Sequence, residues 1–171
     1  SLFALLAFAV LAFGTVEEWS QAILEVGAAL LLVYWAILQF RRDAEFVFIS
    51  PIIPPLGALV FVVVAQLVFH TTASVYSTRV ELQLLVTYVI VAQLIAQAFI
   101  RTHHWRNFLW FVMILGFVVS LIGILQSLTW NGKLYWVRNL HFFGYPFGPY
   151  ANRNHFAGFA ELVIPVALVP L

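Results

Sequence analysis

Phe108–Leu128 reads FLWFVMILGFVVSLIGILQSL, an apolar run without one charged side chain. A helix needs about 20 mostly apolar residues to cross the hydrocarbon core of a bilayer, and this run has that length. Similar runs recur at Leu2–Val16, Ala22–Phe40, Phe46–Phe69, Leu82–Ile100 and Phe156–Leu171. Prolines early in the third run place its helix at 54–69. We expect an all-α protein, a polytopic transmembrane helix bundle of about six spans with the first and last truncated: 2–16, 22–40, 54–69, 82–100, 108–128 and 156–171.

The overall composition agrees with this reading. Hydrophobic residues make up 64% of the 171 positions and charged residues 9%, against roughly 25% charged residues in an ordinary soluble domain. The net charge of +1 gives no general attraction to nucleic acid, so no nucleic-acid partner is expected. Cysteine is absent, which excludes disulfides, thiolate catalysis and cysteine metal sites. The composition therefore predicts a single membrane domain over residues 1–171.

Basic residues set the expected orientation. Arg41 and Arg42 share one short polar segment, Arg101 and Arg106 share another, and two spans separate the two segments. Loops rich in lysine and arginine stay on the cytoplasmic side, so both segments are predicted to be cytoplasmic. The long segment 129–155 is then expected on the outer face.

This outer segment, residues 129–155, combines cations with aromatic rings. It carries three basic residues, two histidines, eight aromatic residues and no carboxylate. An arginine fork pairs with phosphate through two hydrogen bonds, and aromatic faces can stack on sugar rings. Mg²⁺ or Mn²⁺ would need carboxylate ligands that the segment does not offer, so neither a metal nor a cofactor is predicted. The pattern favours a site for an anionic, sugar-bearing lipid at Lys133, Arg138 and Arg153. An interfacial aromatic belt, with cations extended toward lipid headgroups, explains the same residues.

A polar motif connects the outer segment to the last span. Asn154 is placed to cap that helix, and His155 is either an interfacial residue or a catalytic base. Glu161 is a carboxylate inside an apolar run, where such groups face a bundle interior or water. The candidate substrate-binding residues are therefore Asn152, Asn154, His155 and Glu161, together with the three basic residues.

Two stretches carry a family resemblance. FGPYANRNHFAGFAELVIP, Phe147–Pro165, resembles the signature segment of the bacterial O-antigen ligase and O-antigen polymerase superfamily, and GILQSLTWNGKLYW, Gly123–Trp136, is similar to the part before it. The resemblance implies a multi-pass glycosyltransferase of the bacterial inner (cytoplasmic) membrane that serves lipopolysaccharide biosynthesis. It would move a glycan from undecaprenyl diphosphate to an acceptor, lipid A core or a growing chain, on the periplasmic face.

The resemblance also implies partners and a mechanism. The partners would be an undecaprenyl-diphosphate-linked glycan, a lipid or glycan acceptor, and membrane lipids. The transfer would be inverting and independent of metal, with arginines on the diphosphate. Its general base would be a histidine of a later periplasmic loop, beyond Leu171. The catalytic residue is therefore unknown, and residues 1–171 alone are expected to be inactive.

A transporter or permease of small solutes is the alternative from another class. Glu25, Glu161 and the glutamines of the apolar runs would then line a path. Carriers concentrate polar groups near the bilayer midplane, often at interrupted helices. Here the basic and aromatic groups gather in the outer segment, which favours the enzyme.

Overall fold

The computed structural model describes residues 1–41, 48–101, 105–139 and 146–168, without the side chains of residues 100 and 101. Parts of both predicted cytoplasmic segments, and residues 140–145 of the outer segment, lie outside these ranges. The described elements are α1 (Leu2–Leu11), α2 (Glu18–Arg41), α3 (Ile53–Val68), α4 (Val75–Arg101), α5 (Trp105–Leu128), β1 (Lys133–Leu134), β2 (Arg138–Asn139) and α6 (Arg153–Ala167). The all-α class is confirmed, with one short hairpin that hydropathy did not predict.

Three helices of the described ranges, α2, α4 and α5, are long and apolar enough to cross a membrane. The apolar helices α1 and α3 have only 10 and 16 residues. At about 1.5 Å per residue they extend roughly 15 and 24 Å, less than a hydrocarbon core of about 30 Å. Each of the six predicted spans thus corresponds to a helix, but by length and apolarity three of them are full-span candidates.

A helix begins earlier than its predicted span where the polar residues before the span form the first helical turn. The fourth helix begins at Val75, inside a stretch predicted to be a loop, because Ser74 supplies a cap: its hydroxyl oxygen accepts from the Ser77 N–H at 3.4 Å. The third helix begins at Ile53 with proline in its first turn, one residue before the predicted start at Pro54.

The first helix stops early because the chain enters a left-handed turn. Phe13, Gly14 and Thr15 have φ values of 57°, 65° and 54°. For residues other than glycine this conformation costs roughly 1–2 kcal/mol each. Local hydrogen bonds offset part of that cost, because the Thr15 N–H donates to the Ala12 carbonyl (2.9 Å) and its hydroxyl donates to the Gly14 carbonyl (2.7 Å). The helix therefore ends at Leu11, well before the predicted end of the first span.

The chain divides into two compact units. One comprises Ser1–Leu2 and Gln21–His103, and the other comprises Phe3–Ser20 and His104–Leu171. The prediction of one membrane domain stays a prediction. All the candidate site residues belong to the second unit.

In the first unit, glutamines of α4 hold the non-helical backbone that precedes α3. The Gln93 side-chain amide donates to the Phe48 carbonyl (2.6 Å), and its Oε1 accepts from the Ser50 N–H (3.4 Å). The Gln97 amide donates to the same Phe48 carbonyl. Unpaired backbone groups are costly in an apolar setting, so these side chains supply hydrogen-bond partners to the non-helical backbone.

In the second unit, α1 and α6 both pack on α5. The Phe3 ring stacks on the Phe111 ring, with centroids 4.8 Å apart and planes 10° apart. A Cβ atom at Gly116 would overlap the Val163 side chain, so glycine at this position allows α6 to approach α5 closely. Helix α5 is thus the element on which both α1 and α6 are positioned.

Candidate functional site

A tight turn at 147–150 lies against α5. The Phe147 N–H donates to the Tyr150 carbonyl (3.0 Å) and the Tyr150 N–H donates to the Phe147 carbonyl (3.2 Å), which leaves Gly148 and Pro149 at the tip. A side chain at Gly123 of α5 would overlap the Phe147 ring. The two stretches that carry the family resemblance are therefore in direct contact at Gly123 and Phe147.

The β1–β2 hairpin separates two of the predicted phosphate ligands. Leu134 pairs with Arg138, and Lys133 pairs with Asn139. Side chains alternate between the two faces of a strand, so Arg138 shares a face with Leu134, which is 2% exposed, while Lys133 projects from the opposite face. Lys133 and Arg138 therefore do not act on one anion from the same side of the hairpin.

Hydrogen bonds fix the hairpin tip, where Tyr135 and Trp136 have φ values of 51° and 63°. The Tyr135 hydroxyl donates to the Leu11 carbonyl (2.9 Å), and its N–H donates to Oε1 of the buried Gln126 (3.3 Å). The Trp136 indole N–H donates to the Thr129 hydroxyl oxygen (2.8 Å). Positive φ is unfavourable for aromatic residues, and these contacts outside the hairpin help to maintain it.

Arg138 is held by two residues of the N-terminal segment. Its Nη2 lies 2.5 Å from Glu17 Oε1, and its guanidinium carbon lies 4.5 Å from the centre of the Phe13 ring. The Arg138 and Glu17 side chains are 27% and 37% exposed. The outer segment has no carboxylate of its own, so Glu17 supplies one from a different loop. Neither Glu17 nor Phe13 is predicted by the sequence pattern to belong to the site.

The Tyr150 ring packs against the left-handed turn at Phe13–Thr15. A Cβ atom at Gly14 would lie 2.8 Å from Tyr150 Cε1, so a larger residue there would displace the ring. Burial raises the pKa of Tyr150 to about 12. Burial, and to a smaller extent the Tyr150 charge, raises the pKa of Tyr135 to about 12. Both phenols are therefore neutral near pH 7 and act through packing and hydrogen bonding.

The cap of α6 is Asn152, so the prediction that Asn154 caps this helix is wrong. Asn152 has extended backbone (φ −125°, ψ 123°), and its Oδ1 accepts from the Asn154 N–H at 2.9 Å. Its carbonyl already accepts from the His155 N–H at 3.0 Å. The helix consequently starts at Arg153, and Asn154 lies within the first turn.

The start of α6 brings four predicted site residues together. Asn152, Arg153, Asn154 and His155 are consecutive and exposed. The positive end of the helix dipole makes such a terminus attractive to anions. Glu161 is also exposed, about two turns further along the helix.

No protein-family model, curated protein or solved structure matches this chain. The resemblance to O-antigen ligases and polymerases therefore rests on Phe147–Pro165 and Gly123–Trp136 alone. The roles that it implies for the site residues stay predictions.

Proposed function

We propose that this chain is part of a membrane glycosyltransferase of the O-antigen ligase or polymerase type, located in the bacterial inner membrane. It would transfer a glycan from undecaprenyl diphosphate to a lipid or glycan acceptor on the periplasmic face. The observation that carries the proposal is the start of α6, where Asn152 caps a helix whose first residue is Arg153. This arrangement places the positive end of a helix dipole and a guanidinium at one helix end.

The chemistry of a diphosphate suits that helix end. The exposed first turn offers the positive end of a dipole, and Arg153 adds a planar fork that matches two phosphate oxygens. The side chains of Asn154 and His155 add further hydrogen-bond donors beside it. The outer segment contains no Asp or Glu, so none of its own residues repels an anionic ligand.

Exposed tryptophans suit the sugar part of such a donor. Trp130 lies just before the hairpin and Trp136 at its tip, and the two residues are 46% and 37% exposed. The Trp136 indole N–H is already bonded to Thr129, which fixes the orientation of its ring. A fixed, partly exposed ring offers an apolar face at little further conformational cost.

The hydrogen bonds of the glutamines favour the enzyme over the transporter. Gln93 and Gln97 both donate to the Phe48 carbonyl, and Gln126 accepts from the Tyr135 N–H. These side chains stabilise backbone, whereas a solute path would need them directed toward the solute.

Replacing Arg153 with lysine tests the proposal. Lysine keeps the charge but cannot form the bidentate contact, which is worth roughly 1.5–3 kcal/mol. We expect Arg153→Lys in the full-length protein to lower glycan transfer from undecaprenyl diphosphate by about ten- to a hundredfold in proteoliposomes.

Arg79→Lys is the matched control. Arg79 lies in the first turns of α4, on the membrane face predicted to carry the outer segment, and no ligand role is proposed for it. The control should retain transfer, and both variants should insert normally. Near wild-type transfer by Arg153→Lys would show that this residue only anchors the protein to headgroups.

A further inference from the structure

In the ion pair between Glu17 and Arg138, the Glu17 carboxylate lies where another anion could bind the Arg138 guanidinium. Arg138 lies over the Phe13 ring and directs Nη2 at a Glu17 carboxylate oxygen 2.5 Å away. Guanidinium groups bind carboxylate and phosphate through the same planar arrangement of N–H donors. The Glu17 carboxylate therefore uses a donor that a phosphate oxygen could use.

Solvent reaches both members of this pair. Their side chains are 27% and 37% exposed, so an anion can approach Arg138 without unfolding the hairpin. Exposed ion pairs are weak, and competition from Glu17 should change the affinity for an incoming anion by no more than roughly fivefold. A diphosphate esterified at both ends carries two negative charges, one on each phosphate, and can therefore compete with a single carboxylate of this kind.

The hairpin does not depend on the ion pair for its position. The Tyr135 hydroxyl is bonded to the Leu11 carbonyl and its N–H to Gln126, and Leu134 is buried beside them. None of these interactions involves the side chain of Glu17 or Arg138. The pair can therefore separate while the guanidinium stays over Phe13.

We propose that Arg138 forms a second phosphate site, which Glu17 occupies until an anionic substrate displaces it. The inference rests on the proposed function in one respect: the natural ligand would be the diphosphate of the lipid-linked donor. Glu17 is then a positioning residue, which holds the Arg138 guanidinium in its binding geometry before substrate arrives and competes with weakly bound anions.

Calorimetric titration with inorganic diphosphate tests the site in the detergent-solubilised protein. Glu17→Gln keeps the size of the side chain and removes the competing charge, so we expect diphosphate to bind about three- to fivefold more tightly. Arg138→Gln should weaken binding, and the double variant should bind no better than Arg138→Gln alone. Unchanged or weaker binding by Glu17→Gln, or a gain that persists in the double variant, would overturn the proposal.

Glu18→Gln is the matched control, because it removes the same charge from the adjacent, exposed position. An equal gain in both variants would indicate a general charge effect and would refute a specific site.

The experiments distinguish failure of the Arg138 site from failure of the role proposed for Arg153. Loss of transfer in Arg153→Lys without a gain in Glu17→Gln refutes only the second site. A gain in Glu17→Gln with normal transfer in Arg153→Lys refutes only the assignment of Arg153. Absence of diphosphate binding by every variant would exclude a phosphate site at Arg138.

Discussion

Tyr135 and Tyr150 are the side chains that attach the left-handed turn to the outer segment. The Tyr135 hydroxyl donates to the Leu11 carbonyl, and the Tyr150 ring fills the space beside Gly14. Both rings lose contact with water in doing so, and burial is the main reason that each pKa is raised to about 12. These two residues therefore make the stability of this region sensitive to alkaline pH.

We expect the second unit to lose stability between about pH 10 and about pH 12. Unfolded tyrosine has a pKa of about 10, so above that value the unfolded chain releases protons that the folded chain retains. The stabilisation is complete below about pH 10 and is lost as pH rises through the raised pKa. Thermal unfolding in detergent across this range measures the loss.

Phenylalanine variants identify the groups responsible. Tyr135→Phe and Tyr150→Phe should each remove one late-ionising phenol from the ultraviolet titration of the protein's six tyrosines. Tyr135→Phe should also cost about 1 kcal/mol at neutral pH through the lost hydrogen bond. A titration in which all tyrosines ionise together near pH 10 would contradict the assignment.

At the scale of the element, the start of α6 depends on a single cap. Replacing Asn152 with alanine should lower the free energy of unfolding by about 1 kcal/mol, because the Asn154 N–H loses its acceptor. Asn154→Ala is the matched change two residues on, and its exposed side chain should matter by less than about 0.5 kcal/mol. Denaturant unfolding and hydrogen exchange at the first turn of α6 measure both. Equal costs would mean that the cap is not Asn152.

Hydropathy predicted the apolar parts of the helices better than their ends. The fifth helix ends at Leu128, as predicted, because the polar residues after it also leave the helix. The fourth begins at Val75 because polar residues can form a first turn once Ser74 caps it. Phe13–Thr15 belongs to an apolar run, and no pattern of hydrophobicity indicates that its backbone is left-handed.

The sequence predicted only those parts of the candidate site whose residues are adjacent in the chain. The motif around Arg153 was expected at a helix start, and it lies there because cap and first turn are consecutive in sequence. The contact between Glu17 and Arg138 has no local signature, since the two residues belong to different loops. The available signal was the predicted orientation, which places both loops on the same face of the membrane.

At the scale of the whole molecule, the prediction concerns orientation. Cysteine is absent, so single cysteines can be introduced at Asn139 and Trp105 on an otherwise unreactive chain. Because Arg101 and Arg106 mark a cytoplasmic segment, an impermeant thiol reagent added to intact cells should label position 139 and not position 105. Permeabilised cells should label both. The opposite pattern in intact cells would place the outer segment in the cytoplasm and exclude a periplasmic site.

The hydrogen bond from Tyr135 to Leu11 also fixes an order of events during synthesis. It joins residues 124 positions apart, and a ribosome adding about 5–20 residues per second needs about 6–25 s to make the chain between them. Throughout that interval α1 exists without Tyr135, Arg138 or Tyr150 to support the turn after it. Helix α1 is therefore translated well before the residues that support the turn at its end.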